Sequence, residues 1–489
     1  MYRTRLTKTL YLLLFGILLA LFTAFGPSRV AEAEPMPTTE VQVSCTGGAV
    51  HVAGLISQSM EWSPTCASVY ILDQQVAVAD GTTLTLLPGT VVKSLAADLV
   101  VLPGGSVVAA GTPAQHVIFT SIHDDAVAGD TGGDGAASSP KAGDWAGLVQ
   151  RQTEDHKGGS IRLSYAKVNY ASSGVTVVTD GVSISNSQFD HEANAAVLAS
   201  NFTGSASGWY KSNKASDTPV AGVLLLGETN LTKNTVINNG SSWAVVVSVP
   251  GSESHVRVRS GATLTVAGNA VVKFGDVAAN IVVDPGARFT GTGTENARVT
   301  FTSAFDNSIG APAGTRFTDS PKAGDWAGIR VLSSGLVLRG VHIRYASTAF
   351  DLPQISSATL SGMSISSSVV GLRVPLGFVS YRGSFSSTPS SVVACDWLST
   401  CAVDAAYVTW DGERGPHRGL TSLVCGAVTV SPWYPDKSKD RTFRVQNCSG
   451  AIDPGSALTA AASDFAARTV ALSEQCLSGV VAALSLIHI

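Results

Sequence analysis

The chain has 489 residues, of which 14% are charged, with a net charge of −4. Its 32 Lys and Arg are scattered against 36 acids, which excludes the basic face that a nucleic-acid partner requires. With 49 glycines, frequent Ser, Thr and Val, and little amphipathic helical spacing, the chain reads as β structure cut by many tight turns.

Taken in order, the first residues have the form of an export signal. Arg3, Arg5 and Lys8 precede an apolar run from Leu10 to about Phe25, and small residues end at Ala31-Glu32-Ala33. Residues 1–33 are therefore expected to be a signal peptide cleaved after Ala33, leaving no membrane span. An uncleaved anchor is the rival reading. Export implies a secreted or cell-surface protein in which disulfides persist. Sequence neighbours suggest Cys45 with Cys66, Cys395 with Cys401, and Cys425 with Cys448, leaving Cys476 over. Sequence alone does not fix that connectivity.

From Val41 onward the pieces are short and turn-bounded. TLTLLPGTVV alternates Thr with apolar residues in the two-residue period of a strand with one buried face, and Pro88-Gly89 supplies a turn. DLVVLPGGSVVAAGT repeats the idea with Pro103-Gly104-Gly105. A longer repeat lies over these. SPKAGDWAG occurs at Ser139 to Gly147 and again at Ser320 to Gly328, an offset of 181 residues. Near that offset TVVKS at Thr90 matches AVVKF at Ala270, VIFTS at Val117 matches VTFTS at Val299, and YAK at Tyr165 matches YAS at Tyr345. The halves are placed at about 82–260 and 263–435.

A finer period sets an aliphatic residue five positions before a second apolar one: Leu163 and Val168, Ile184 and Phe189, Leu231 and Val236, Leu338 and Ile343, Leu360 and Ile365. The steps are 21 residues (163 to 184) and 22 residues (338 to 360). A unit that short has no helix and cannot bury its own apolar side, so it must stack on its neighbours. The expected fold is all-β, a right-handed parallel β-helix over 34–435, with roughly 13 to 16 rungs at about 4.8 Å each. A β-sandwich array is the rival and predicts hairpins with two-residue turns. Residues 436–453 read as an exposed linker. The alanine-rich stretch 454–483 reads as a short helical segment, either a cap or the start of a truncated further domain. The final LSLIHI, 484–489, reads as a sequencing-adapter artefact.

TLTLLPGTVVK, the GT-x-x-x-x-V-x-FTS segment, the acidic glycine-rich loop, GDWAG and IRYA together resemble secreted bacterial right-handed parallel β-helix repeat proteins of pectate-lyase-like fold. The resemblance extends from about Val50 to Pro435. Its closing part, VDAAYVTWDGERGPH and CGAVTVSPW, departs from the family pattern where Asp411 separates Trp410 from Gly412.

Chemistry is concentrated in two places. His123 to Gly135 sets Asp124, Asp125, Asp130 and Asp134 among glycines, and a flexible loop of carboxylates can wrap calcium. Asp130, Asp134 and Gly135 match the first, fifth and sixth places of a calcium-loop pattern, whereas Gly132 and Lys141 depart from it at the third and twelfth. A solvated acidic loop is the alternative, and the second half keeps only Asp306-Asn307 opposite Asp124-Asp125. Asp190, His191 and Glu192 form the other dense titratable group, read as a solvated corner. Trp145 and Trp326 are expected to pack rather than to present sugar platforms, and Asp144 and Asp325 to bond nearby turn amides. Arg257 and Arg259 alternate on a strand with no acids beside them in sequence. The carboxylate series of polygalacturonases is missing. The expected function is therefore an exported, non-catalytic binding, adhesion and spacer module for extracellular polysaccharide or cell-surface glycan, requiring no cofactor unless calcium. The alternative is a polysaccharide lyase or glycoside hydrolase on the same fold.

Overall fold

The computed structural model describes residues 37–394 except 136, 210, 239–243, 354–356, 375–376 and 389. Beyond 394 it describes the backbone of short strands, the last at Ala451–Ile452. The expected signal peptide, the helical segment 454–483 and residues 484–489 lie outside the described residues. So do the side chains of Cys395, Cys401, Cys425, Cys448 and Cys476. Cys45 and Cys66 form the expected disulfide.

Strands from Ala49–Ile56 to Cys401–Asp404 pair in parallel, each with the strand one coil away. The result is a parallel β-solenoid of about 13 turns, which excludes the sandwich. Among the described residues, antiparallel strand pairs come near the end: Thr409–Trp410 with Glu413–Arg414, Leu423–Val424 with Ala451–Ile452, and Val428–Val430 with Phe443–Val445; earlier there is a single antiparallel bridge, Gln152 with Gly158. Residues 443–445 and 451–452 thus contribute strands within the stretch expected to be a linker.

The five-residue spacing works because a turn lies between its two members. Leu163 sits over Ile184 and Val168 over Phe189; Leu338 sits over Leu360 and Ile343 over Ile365. All eight side chains are buried in one continuous core. Leu231 and Val236 do not belong to the series. Leu231 stacks between Gly204 and Val258 in another column, and Val236 is 40% exposed while its neighbour Ile237 takes the inward place. The corners are tied by small hydroxyls. Ser187 and Ser368 each donate to the carbonyl two residues earlier, at 2.9 and 3.1 Å, relieving backbone acceptors that a corner would strand.

Each coil of the first half has three faces. The first carries Val91–Ser94, Val117–Ser121, Ala166–Asn169, Gln188–Asp190 and Lys214–Ser216. The second carries Asp98–Val101, Gly147–Gln150, Val175–Thr179, Ala195–Gly204 and Val220–Leu226. The third carries Thr83–Leu86, Ser106–Ala110, Ser160–Ser164 and Val182–Ser185. Following the columns upward shows that the two halves are not in phase. The second-face strand Val220–Leu226 pairs with Ala244–Val247, which pairs with Val271–Phe274. By sequence, that last strand matches the first-face strand Val91–Ser94. A first-face strand of the duplicate therefore stands over a second-face strand of the first half, whereas its third-face strand Thr263–Ala267 stays in the third-face column, beside Thr235–Ile237.

The structure also corrects the alignment near Tyr345. Gly143 donates to the carbonyl of Tyr170 and Gly324 to that of Tyr345, so the counterpart of Tyr345 is Tyr170 rather than Tyr165.

Candidate functional site

Two equivalent loops leave the coils after Ser121 and Ser303 and return at GDWAG. Their anchoring is the same in both halves. Thr120 Oγ1 donates to Asp124 at 2.7 Å, as does Thr302 Oγ1 to Asp306. Ser121 Oγ donates to Asp144 at 2.5 Å and Ser303 Oγ to Asp325 at 2.6 Å. Asp144 and Asp325 also accept the backbone N–H of Lys141 and Lys322, each at 2.9 Å, as expected for turn-bracing aspartates. Beneath each loop lies a lysine with no exposed surface: Lys93 Nζ donates to the Gly129 carbonyl at 2.8 Å and Lys273 Nζ to that of Asp306 at 2.7 Å. Burial pulls Lys273 down to about 8, against the pull of Asp306. Burial also opposes ionisation of Asp306. Hydrogen bonds from Ser308 and Thr302, and Arg344 at 2.8 Å, outweigh it and hold that carboxyl below its ordinary range.

GDWAG closes each loop for steric reasons. Trp145 and Trp326 are 2% and 0% exposed, and their indole N–H groups donate to the carbonyls of Asn169 (2.9 Å) and Arg344 (2.8 Å). They are packing residues. The last glycine of the motif, Gly147 or Gly328, has positive φ, and a Cβ there would collide with the Ser173 or Thr348 carbonyl of the next coil.

The four aspartates of the first loop do not act together. Asp125, Asp130 and Asp134 bring carboxylate oxygens within 4.8 Å of one another, whereas Asp124 lies beneath them, 6% exposed and bonded to Thr120. Asp130 accepts the N–H groups of Gly135 (2.8 Å) and Gly133 (2.7 Å), which hold its carboxyl below the ordinary range. Asp134 accepts the Ser138 hydroxyl and lies 3.7 Å from His123 Nδ1. The loop thus satisfies itself while keeping three carboxylates in one place. The loop of the second half takes another course: Ala313 accepts from Ala221 at 2.9 Å, and Phe317 buries itself beside Val220, Leu224 and Val246. If calcium binds at Asp125, Asp130 and Asp134, a titration raises the melting temperature with the logarithm of calcium concentration once it exceeds the Kd, and Asp130→Asn abolishes the rise. An unchanged melting temperature leaves the loop a self-braced acidic turn.

Asp190, His191 and Glu192 are split by the corner. His191 faces outward, stacked on Tyr170 at 5.0 Å, with Asp190 3.8 Å and Asp217 of the next coil 4.0 Å from its ring nitrogens. Ser216 Oγ donates to Asp190 at 2.9 Å. Glu192 turns inward and is fully buried, and among the described residues neither of its carboxyl oxygens has a hydrogen-bond partner within bonding geometry. Burial pushes its pKa well above the ordinary value, with the nearby Ala171 backbone N–H pulling the other way. Arg257 and Arg259 do find acids, supplied by other coils: Arg257 pairs with Asp284 at 2.9 Å, and Arg259 with Glu228 at 3.1 Å and Asp284 at 3.3 Å.

Residues 54–180 match the family model of the Pectate-lyase like beta helix domain. Comparisons with curated proteins and with solved structures return no match. The pectate-lyase-like β-helix match ends within the first half. The second half follows the same fold through the duplication. Residue-by-residue reading missed Lys93, Lys273 and Asp217. A signal for the lysines was present, since a Lys closes an otherwise apolar strand at the same place in both halves. Asp217 had none, because it meets His191 only when one coil lies on the next.

Proposed function

We propose that this protein is an exported, non-catalytic β-helix that acts outside the cell or at its surface as a binding and spacer module for polysaccharide or glycan. The supporting observation is the use made of the loop acids. In both halves the aspartates that would line a cleft, Asp124 with Asp144 and Asp306 with Asp325, instead fasten their loops onto the coils. A residue committed to bracing is not poised for general acid–base work. The export leader read in residues 1–33 supplies the location.

A carbohydrate-active enzyme is the second reading, favoured by one cluster: His191, flanked by Asp190 and Asp217 and stacked on Tyr170. The purified protein, incubated with a panel of polysaccharides and followed by reducing-end release and by ultraviolet absorbance of unsaturated products, is expected to show binding without turnover. Turnover that His191→Ala abolishes while melting temperature is kept would replace the scaffold reading with the enzymatic one. Asp124→Ala is unsuited to that test, because it unfastens the loop.

A further inference from the structure

The third face is the one neither of the two large loops leaves from, and its charge is one-sided. In the second half its strands are Thr263–Ala267, Arg288–Thr292, Leu336–Arg339 and Ser357–Ser366. Leu264, Phe289, Leu338 and Leu360 point into the core. The alternate positions are exposed or half-buried and form rows across the coils: Thr265, Thr290, Val337 and Thr359 in one, Thr292, Arg339 and Ser361 in the next. Arg288 and Arg339 are exposed, and neither makes an ion pair or hydrogen bond among the described residues. In the first half Arg162 stands equally free between Val108 and Ser183. Acids near this face in the second half are otherwise placed: Asp284 pairs with Arg257 and Arg259, and Glu295 lies in the turn beyond Thr292; in the first half Asp180 pairs with Lys233, while Glu61 and Asp80 stand exposed at the first rungs, far from Arg288 and Arg339 in the stack. A chain of net charge −4 thus carries a flat strip of hydroxyls and unpaired guanidinium groups.

Within the strip lies a groove of about 280 Å³ between the coils of Arg288 and Val337, near the low end of ligand-pocket sizes, roughly 300 Å³. Arg288, Thr290, Ser333, Ser334 and Val337 line it, and no carboxylate does. One guanidinium fork saturates the two oxygens of a carboxylate. The Ser333 and Ser334 hydroxyls, also without partners among the described residues, supply donors for a third oxygen. That donor set suits a tetrahedral oxyanion on a flexible chain.

We propose that the third face is the glycan-docking surface and that it takes a sulfated polysaccharide lying across the stack, along the strand direction, one sulfate seated between Arg288, Ser333 and Ser334 and another within reach of Arg339. This rests on the binding reading above and names its ligand class. With roughly 4.8 Å between coils and 3.3 Å per residue along a strand, the two arginines stand far enough apart to engage different sugar units.

The test is binding of the full-length protein to immobilised dextran sulfate, dextran and polygalacturonate, with Arg288→Gln/Arg339→Gln compared with the remote Lys157→Gln. Dextran sulfate alone is expected to bind, weakening steeply with salt. The double variant should lose about tenfold per arginine at unchanged melting temperature, and Lys157→Gln should bind as wild type does. Equal binding of polygalacturonate, or dextran sulfate binding indifferent to the double variant, overturns this assignment. If plain dextran binds regardless of Arg288, the binding-module reading stands and the sulfate assignment falls. If none of the three polymers binds, the sulfate assignment falls and the binding-module reading loses support.

Discussion

Trp326→Ala is expected to destabilise the solenoid by about 3–5 kcal/mol, read from urea unfolding, with Trp145→Ala costing less. Both indoles are buried and both donate to a carbonyl of the following coil. They differ in how they stack. Trp326 lies 4.0 Å from Phe274 with the rings 3° from parallel, whereas Trp145 is 6.5 Å from Phe119 at 17°. Removing Trp326 opens a cavity against an aromatic face, strands the Arg344 carbonyl, and loosens the closure of a loop that also covers Lys273 and Asp306. Trp326→Phe refills part of the volume but not the hydrogen bond, and should recover only part of the loss. A change below about 1 kcal/mol for Trp326→Ala, within the range of ordinary surface substitutions, would show that the second GDWAG is not a closure.

Glu192 should make the protein less stable as pH rises, and Glu192→Gln should remove that loss. Its folded pKa is raised above the ordinary 4.5, so its contribution is fully present below 4.5 and disappears as pH climbs toward the folded value. Across that window the loss is about 1.4 kcal/mol per pH unit. His342, which burial and the nearby Arg344 and Arg298 lower to about 4, works in the opposite sense between about 4 and 6.5, where stability is lost as pH falls. The informative quantity is therefore the difference between the wild-type and Glu192→Gln melting profiles as pH rises above 4.5. It should widen in favour of the variant until pH reaches the folded value, and parallel profiles would mean that the burial of Glu192 does not act on its ionisation. Lys273, with its depressed value of about 8, matters only above that pH.

Much of the architecture is legible without coordinates. The five-residue pairs such as Leu163 with Val168 and Leu338 with Ile343 reveal the coil, because a strand, a corner and a second strand must each send one side chain inward. The doubled SPKAGDWAG reveals the duplication, and its Trp and Asp are readable as closure and brace because the same residues recur at equivalent corners. The disulfide of Cys45 with Cys66 is suggested by nearness in sequence and established by the structure. Each of these depends on spacing along the chain, which is local.

What stacking decides is different in kind. The shift of the duplicate's first-face strands onto the second-face column arises where Val220–Leu226 meets Ala244–Val247, and no residue spacing records which column a strand joins. Asp124 drops out of the acidic cluster because Thr120, four residues away on a strand end, holds it below the loop. Asp190 and Glu192 look alike in sequence, yet the left-handed backbone of His191 between them breaks the strand alternation, leaving one beside Asp217 and burying the other. The pairing of Arg257 with Asp284, and the lack of a partner for Arg288 and Arg339 among the described residues, are likewise settled by neighbours a whole coil away. Sequence by itself determined the short stacking unit, its period and its duplication, since so short a unit buries its apolar side only against its neighbours. Tertiary structure alone decided which charges are neutralised, buried or left open, because charge interactions act through space between coils whose register only stacking fixes.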